Sequence, residues 1–283
     1  MPGNRPNSHW NVNNRIKTIV KRAVPEPVRR FRYTFFEHSK YYPALFFSLG
    51  RKLECPICQW RFHRMGPGGF DYPVLKEKQV VGASYHKNEV CPRCMSNSRE
   101  RLLYLYLLSK GNFFSNPKRL LHIAPEPNLK KLIKASPKIK YVSADLYKPH
   151  VMARIDVTKM PFLDESFDVV FCNHVLEHVP DDISAMRELH RILVPGGWTI
   201  LQVPIALALE HTLEDENAKT DQRRIELFGQ RDHVRLYSQD DYVQRLNTSG
   251  FDVMIEHFAK SLDIGDVQRY ALTPSEVIFV GRK

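Results

Sequence analysis

The feature that most constrains the fold is an alternation of short apolar runs with amphipathic segments, from residue 118 almost to the C-terminus. RLLHIA at 119–124, YVSADL at 141–146, FDVVFCN at 167–173 and WTILQVP at 198–204 read as strands, and a short third strand is expected over 155–157. Helical spacing is expected over 128–135, 182–193 and 239–249, followed by strands over 251–258 and 276–281. Strands that are apolar nearly throughout must be covered on both faces, which calls for a mostly parallel sheet with helices on each side. The expected class is therefore α/β, Rossmann-like.

Upstream lie two C-x-x-C pairs, Cys55-Pro-Ile-Cys58 and Cys91-Pro-Arg-Cys94, 32 residues apart. No secretory signal is visible in residues 1–10, so the pairs read as a metal site before disulfides. Four thiolates complete the tetrahedral shell of a structural zinc and leave no position for water. A single redox dithiol would need only one such pair. Cys172, the fifth cysteine, falls in an apolar strand and reads as core.

Net charge is +11, but residues 1–52 hold 11 Lys/Arg against Glu26 and Glu37. The basicity therefore belongs to an N-terminal arm, and the rest of the chain is close to neutral, which argues against a nucleic-acid-binding body. Within the arm, 15–24 has helical spacing among bases and 31–49 is dense in aromatics. Contact with a membrane surface or an acidic partner is one reading, and a solvated helix covering the enzyme is the other. No apolar run reaches the roughly 18 residues of a spanning helix. The expected location is cytoplasmic, with a membrane-peripheral variant. Three segments are expected: a partly disordered or helical arm (1–52), a zinc knuckle with a linking helix (53–111) and the catalytic domain (112–283).

In doubly wound sheets ligands bind beyond the carboxyl ends of the strands. The loop after the first strand is His122-Ile123-Ala124-Pro125-Glu126-Pro127, and Asp145 stands 21 residues beyond Ala124, at the end of the second strand. Asp156 sits in the third strand and Asn173-His174 end the fourth. This order, with "SADL", "RIDVTKMPFLDESFDVVFCNHVLEHVPD", "AMRELHRILVPGGWTILQVP" and "DHVRLYSQDDYVQRLNTSGFDV", resembles the class I S-adenosylmethionine (SAM)-dependent methyltransferases, above all their type 11 branch. The cysteine module followed by "SNSRERLLYLYL" and "LLHIAPEP" is similar to a bacterial subgroup associated with glycan modification.

The resemblance implies a seven-stranded sheet and a SAM site. Asp145 would hold the ribose, Asp156 with Val157 would lie near the adenine, and Asn173-His174 would line the methyl-donor end. His122, Ala124, Glu126 and Leu146 would complete the cofactor contacts, with Glu126 accepting from the SAM ammonium. The family's glycine-rich loop is absent here, a departure that favours a second reading, an adaptor whose domain no longer binds SAM.

Methyl transfer to a hydroxyl needs a base, and histidine titrates in the right range. His233 and His174 are the first candidates, each open to the alternative of a packed or capping residue. His178 is a third, and Glu177 reads as a solvent-facing helix residue or a cap. Arg231 and Arg235 could bind an anionic acceptor or line a solvated face. The polar stretch 211–224 lies where a substrate lid would be, or is a surface excursion. The expected reaction is O-methylation of a small molecule or glycan, with a nucleic-acid methyltransferase as the alternative.

Overall fold

The computed structural model describes residues 49–283. The basic helix and aromatic stretch read within 1–48 lie outside the described residues. Two compact units are present and they interleave along the chain, where contiguous segments were expected. One comprises residues 68–86, 117–256 and 276–283; the other holds 49–67, 87–116 and 257–275.

The larger unit is built on seven strands: β1 (Lys118–Ile123), β2 (Ile139–Asp145), β3 (Ala153–Arg154), β4 (Phe167–Cys172), β5 (Leu193–Ile200), β6 (Asp252–Glu256) and β7 (Ile278–Arg282). Their order is β6-β7-β5-β4-β1-β2-β3. All pairings are parallel except those of β7, which runs antiparallel to β5 and β6. The α/β, Rossmann-like, mostly parallel architecture is thus as expected. Burial shows why these runs form central strands. Leu121, Ile123, Val170 and Cys172 join one core cluster, to which helix α3 (Asp182–Arg191) adds Ala185, Met186 and Leu189 and helix α4 (Gln239–Thr248) adds Tyr242 and Leu246. The alternate residues Leu120, His122, Val169 and Phe171 are equally buried on the opposite face. The chain reverses its direction of progress between β1 and β4, and the crevice beyond their ends is where such sheets bind ligands.

Two strand boundaries move. The third strand ends before 155–157, because Asp156 accepts from the Thr158 amide (2.9 Å) and hydroxyl (2.8 Å) in a side-chain turn that ends the ladder. The fifth begins at Leu193, which pairs with Phe167 before a register shift around Pro195-Gly196-Gly197.

Residues 68–86, which lie between the cysteine pairs, belong to this unit. Val80–Val81 pairs antiparallel with Ile205–Ala206, and Val74, Leu75, Val80 and Ala83 share a core with Ala206, Phe228 and Leu236.

In the smaller unit, strands Leu49–Glu54 and Arg61–Phe62 pair antiparallel, and Leu53, Phe62 and Met65 pack with the cysteines. Helix α1 (Ser98–Ser109) starts at a capping box: Asn97 accepts from Glu100 N, and Glu100 reaches back to Asn97 N. Every residue from Leu102 to Leu108 is buried, as a helix apolar all round requires. Among the described residues, no helix is long and apolar enough to cross a membrane.

Candidate active site and cysteine centre

Beyond β1 the chain turns sharply at Ala124, whose φ of 48° is left-handed. Such a conformation costs a non-glycine residue roughly 1–2 kcal/mol. The turn for which glycine seemed necessary is therefore made by a residue whose Cβ is the smallest available. At the end of β4, His174 is likewise left-handed at 54° and is fixed by its amide donating to Gln202 O at 2.7 Å. Two such residues at the ends of adjacent strands mark a place where the surrounding structure imposes backbone strain.

Three predicted residues meet here. Glu126, at the N-cap position of α2 (Pro127–Lys134), accepts from His122 Nε2 at 2.5 Å through one oxygen and from Asn173 Nδ2 at 3.0 Å through the other. His122 is fully buried; because a carboxylate only accepts, Nε2 is the donor to Glu126, and the Tyr141 hydroxyl lies 3.3 Å from Nδ1. Burial would raise the Glu126 pKa, but His122 and Asn173 hold it below the ordinary carboxylate value.

One strand over, Asp145 is buried at 8% exposure; its Oδ1 accepts from the amides of Tyr147 and Lys148, both at 2.8 Å. Its Oδ2 lies 3.9 Å from Lys148 Nζ, outside hydrogen-bonding range, so one oxygen of an oriented carboxylate is left to accept from a ligand. Leu146 is half-buried, Val157 is buried, and Asp156 is exposed.

The histidines form a second group beside this one. His174 Nδ1 lies 3.3 Å from Glu177 Oε1. Glu177, expected at the surface or as a cap, is 2% exposed; Leu176–His178 is one tight 3-10 turn tucked inward, where the amphipathic pattern of a helix does not apply. Burial opposes the Glu177 charge, yet His174, His178 and His233 bring its pKa down to about 2. His233 is 1% exposed, and burial lowers its pKa to about 4, so it is neutral at physiological pH. His178 and His233 pack edge to face, centroids 4.7 Å apart.

Residues 68–86 also reach this region: a Cβ on Gly82 would lie 3.7 Å from His174 Cε1 and 3.5 Å from Glu276 Oε1. No local pattern signals this contact, since Val80–Val81 has its strand partner more than a hundred residues away.

Arg235 corrects another expectation. It is 4% exposed and donates to Glu214 Oε1 (2.6 Å) and to the carbonyls of Leu176, Val179 and Pro180. It is a clamp on the 176–180 turn, and its burial closes it to an acceptor. Arg231 is exposed. In the 211–224 stretch, Leu213–Glu214 pairs with Arg235–Leu236, Thr212 N donates to Asp241 (2.6 Å), and Arg245 binds Glu214 (2.8 Å). Its first half is therefore pinned down.

In the smaller unit the four cysteine Sγ atoms lie within 4.8 Å of one another, with Cys55–Cys94 at 3.6 Å and Cys58–Cys91 at 3.7 Å. The two pairs repeat one local design. Cys55 N donates to Trp60 O and Gln59 N to Cys55 O; Cys91 N donates to Ser96 O and Met95 N to Cys91 O. Gln59 and Met95 take matching left-handed φ of 59° and 60°. Burial opposes charge on Cys55, but hydrogen bonds from the other three thiols and Ser96 pull its pKa well below the ordinary value, while the same contacts raise Cys58 and Cys94. Four converging thiols that favour a thiolate fit a four-coordinate zinc. Cys172 is fully buried in β4, as expected for core.

The family described as "Methyltransferase domain" matches residues 118–201. A demethylmenaquinone methyltransferase of Staphylococcus epidermidis is 47% identical over 45 residues, 16% of this chain and 19% of that one. A 27-O-demethylrifamycin SV methyltransferase of Amycolatopsis mediterranei is 31% identical over 113 residues, 38% of each chain. A SAM-dependent methyltransferase structure from Archaeoglobus fulgidus has a TM-score of 0.44 and 15% identity, covering 66% of this chain and 95% of that one. The chain thus spans well under half the length of these two curated relatives. The stretch that matches this family, Lys118 to Leu201, is laid out on β1 to β5.

Proposed function

We propose that this chain is a SAM-dependent methyltransferase acting on a hydroxyl of a small molecule or glycan, with a structural zinc in its cysteine unit. The observation that carries the reading is the acid–imidazole–amide set His122–Glu126–Asn173 at the switch point, with an oriented Asp145 oxygen one strand away.

Bound SAM supplies a methyl group on a sulfonium, already activated toward an oxygen nucleophile. Glu126, its charge kept by His122 and Asn173, would accept from the amino-acid ammonium. Asp145 would accept from the ribose hydroxyls, and Leu146, Asp156 and Val157 would flank the adenine, with Ala124 allowing close approach of the backbone. His174 is the better placed of the two candidate bases, because its side chain is 20% exposed whereas His233 is 1% exposed. Glu177 orients His174 through Nδ1, and Nε2 is enclosed by the protein, so it would take the proton only of a hydroxyl that enters the space beside it. His233, held neutral, would line the site behind it. Cys55, Cys58, Cys91 and Cys94 would hold the zinc and contribute no open coordination position.

Calorimetric titration of the zinc-loaded protein with SAM tests the reading. Micromolar binding that is lost in Asp145→Ala is expected. No heat and no thermal shift in folded protein would overturn it in favour of a non-enzymatic adaptor.

A further inference from the structure

Beside the SAM-binding loops, one group of side chains has unmet polar atoms. Glu177, His178 and His233 each place a ligand atom within 4.8 Å of the other two. Glu177 and His233 are almost wholly buried, yet Glu177 Oε2 and both ring nitrogens of His233 make no hydrogen bond within the protein. Buried polar atoms are nearly always satisfied, and a set of them that converges calls for a ligand.

The surroundings are those of a prepared ion site. His178 Nδ1 lies 3.1 Å from the Asp232 carbonyl oxygen and donates to it, which leaves Nε2 as the basic nitrogen. A ligating imidazole typically has such a partner on its other nitrogen. Glu177 Oε1 is held by His174, so the carboxylate plane is fixed while Oε2 stays open. The backbone is fixed as well: Val234 N donates to Glu177 O at 2.9 Å, and the Arg235 guanidinium binds the turn that carries Glu177 and His178. Ligand atoms of a tetrahedral zinc shell stand about 3.3 Å apart. The three ligand atoms, within 4.8 Å of one another, would each need to shift by only about 1 Å to reach that spacing.

We propose that Glu177, His178 and His233 bind one divalent transition-metal ion, zinc most readily. Two imidazoles and a carboxylate suit zinc and its first-row neighbours, and three protein ligands leave a position for water or a substrate oxygen. In this the site differs from the closed four-cysteine centre. It uses atoms separate from the proposed SAM contacts and stands whether or not SAM binds.

The test is metal content. Full-length protein is equilibrated with micromolar free zinc, freed of unbound metal and assayed by mass spectrometry of the metal, beside Glu177→Gln and His233→Ala. Two zinc ions per chain are expected in the wild type and one in each variant. Cobalt substitution locates the loss: Glu177→Gln should keep the intense thiolate-to-cobalt absorption and lose the weaker bands of the second ion. Retained thiolate absorption also shows that the variant has folded, and Glu177→Gln is nearly isosteric, so the result does not hinge on His233→Ala. One zinc per wild-type chain, or two in Glu177→Gln, overturns the proposal.

Discussion

Arg101 offers a sharp test of how the cysteine unit is held together. Its side chain is fully buried in α1, and its guanidinium is compensated by main-chain oxygens. Nε donates to Tyr270 O (2.8 Å), Nη2 to Ala271 O (2.8 Å), and Nη1 to Glu89 O and Ser96 O (both 2.9 Å). A longer contact reaches Asn88 O at 3.4 Å. One side chain thus ties residues 257–275 to the strand and turn around Cys91 and Cys94. Arg101→Met keeps most of the volume and removes every donor. Four well-made acceptors lose their partner at about 1 kcal/mol each, so the gross loss is about 4 kcal/mol. Relief from burying a charge returns on the order of 1–2 kcal/mol, leaving about 2–3 kcal/mol net. Because Glu89 and Ser96 flank the second cysteine pair, the variant should also release zinc faster to a chromophoric chelator. Urea denaturation of zinc-loaded protein, read beside the chelator assay, measures both effects. A stability loss under about 0.5 kcal/mol with unchanged zinc release would show that the carbonyl cage does not hold the unit together.

Three further outcomes are expected. Chelation of zinc, or Cys91→Ser, should lower the melting temperature and expand the protein by scattering, since binding energy at a structural site is folding energy; an unchanged melt would refute the metal assignment. Glu126→Gln keeps the shape but removes the charge, and should weaken SAM binding by roughly 10–100-fold, the scale of one charge-assisted hydrogen bond, in calorimetry; unaltered affinity would remove Glu126 from the cofactor site. For pH, Glu126, Asp168, Glu188 and Glu214 all have folded pKa values lowered, the last three through Arg119, Arg191 and the pair Arg235 and Arg245. Depressed carboxylates give stability that is complete above their unfolded pKa of about 4 and is lost as pH falls through the folded values. The urea midpoint should therefore be flat with respect to these groups from neutrality down to about pH 5 and fall below it, and a midpoint unchanged at pH 3 would refute their contribution.

How much was legible in the sequence depends on how local the cause is. β1, β2 and β4 could be read because a doubly buried strand must be apolar throughout. The cysteine pairs could be read because thiolate chemistry and a three-bond turn suffice to state the site. The cap at Asn97 is settled within four residues. The boundary of β3 turned on Asp156 spending its carboxylate on Thr158, a choice that the apolar pattern does not register. The misreadings at Glu177 and Arg235 share a deeper cause. Hydrophobic periodicity assigns a charged residue to the surface, and both are charged residues taken inward. Arg235 goes inward because carbonyls of the 176–180 turn and Glu214 meet it there. Glu177 goes inward among His174, His178 and His233, the last of them 56 positions away in sequence. A buried charge is tolerable only with partners, and those partners belong to other elements, so no window of sequence contains the reason. The residues misplaced by periodicity are therefore the ones whose positions the tertiary structure had to create, and they cluster at the end of β4, where the proposed base, the proposed ion and the proposed cofactor would all meet.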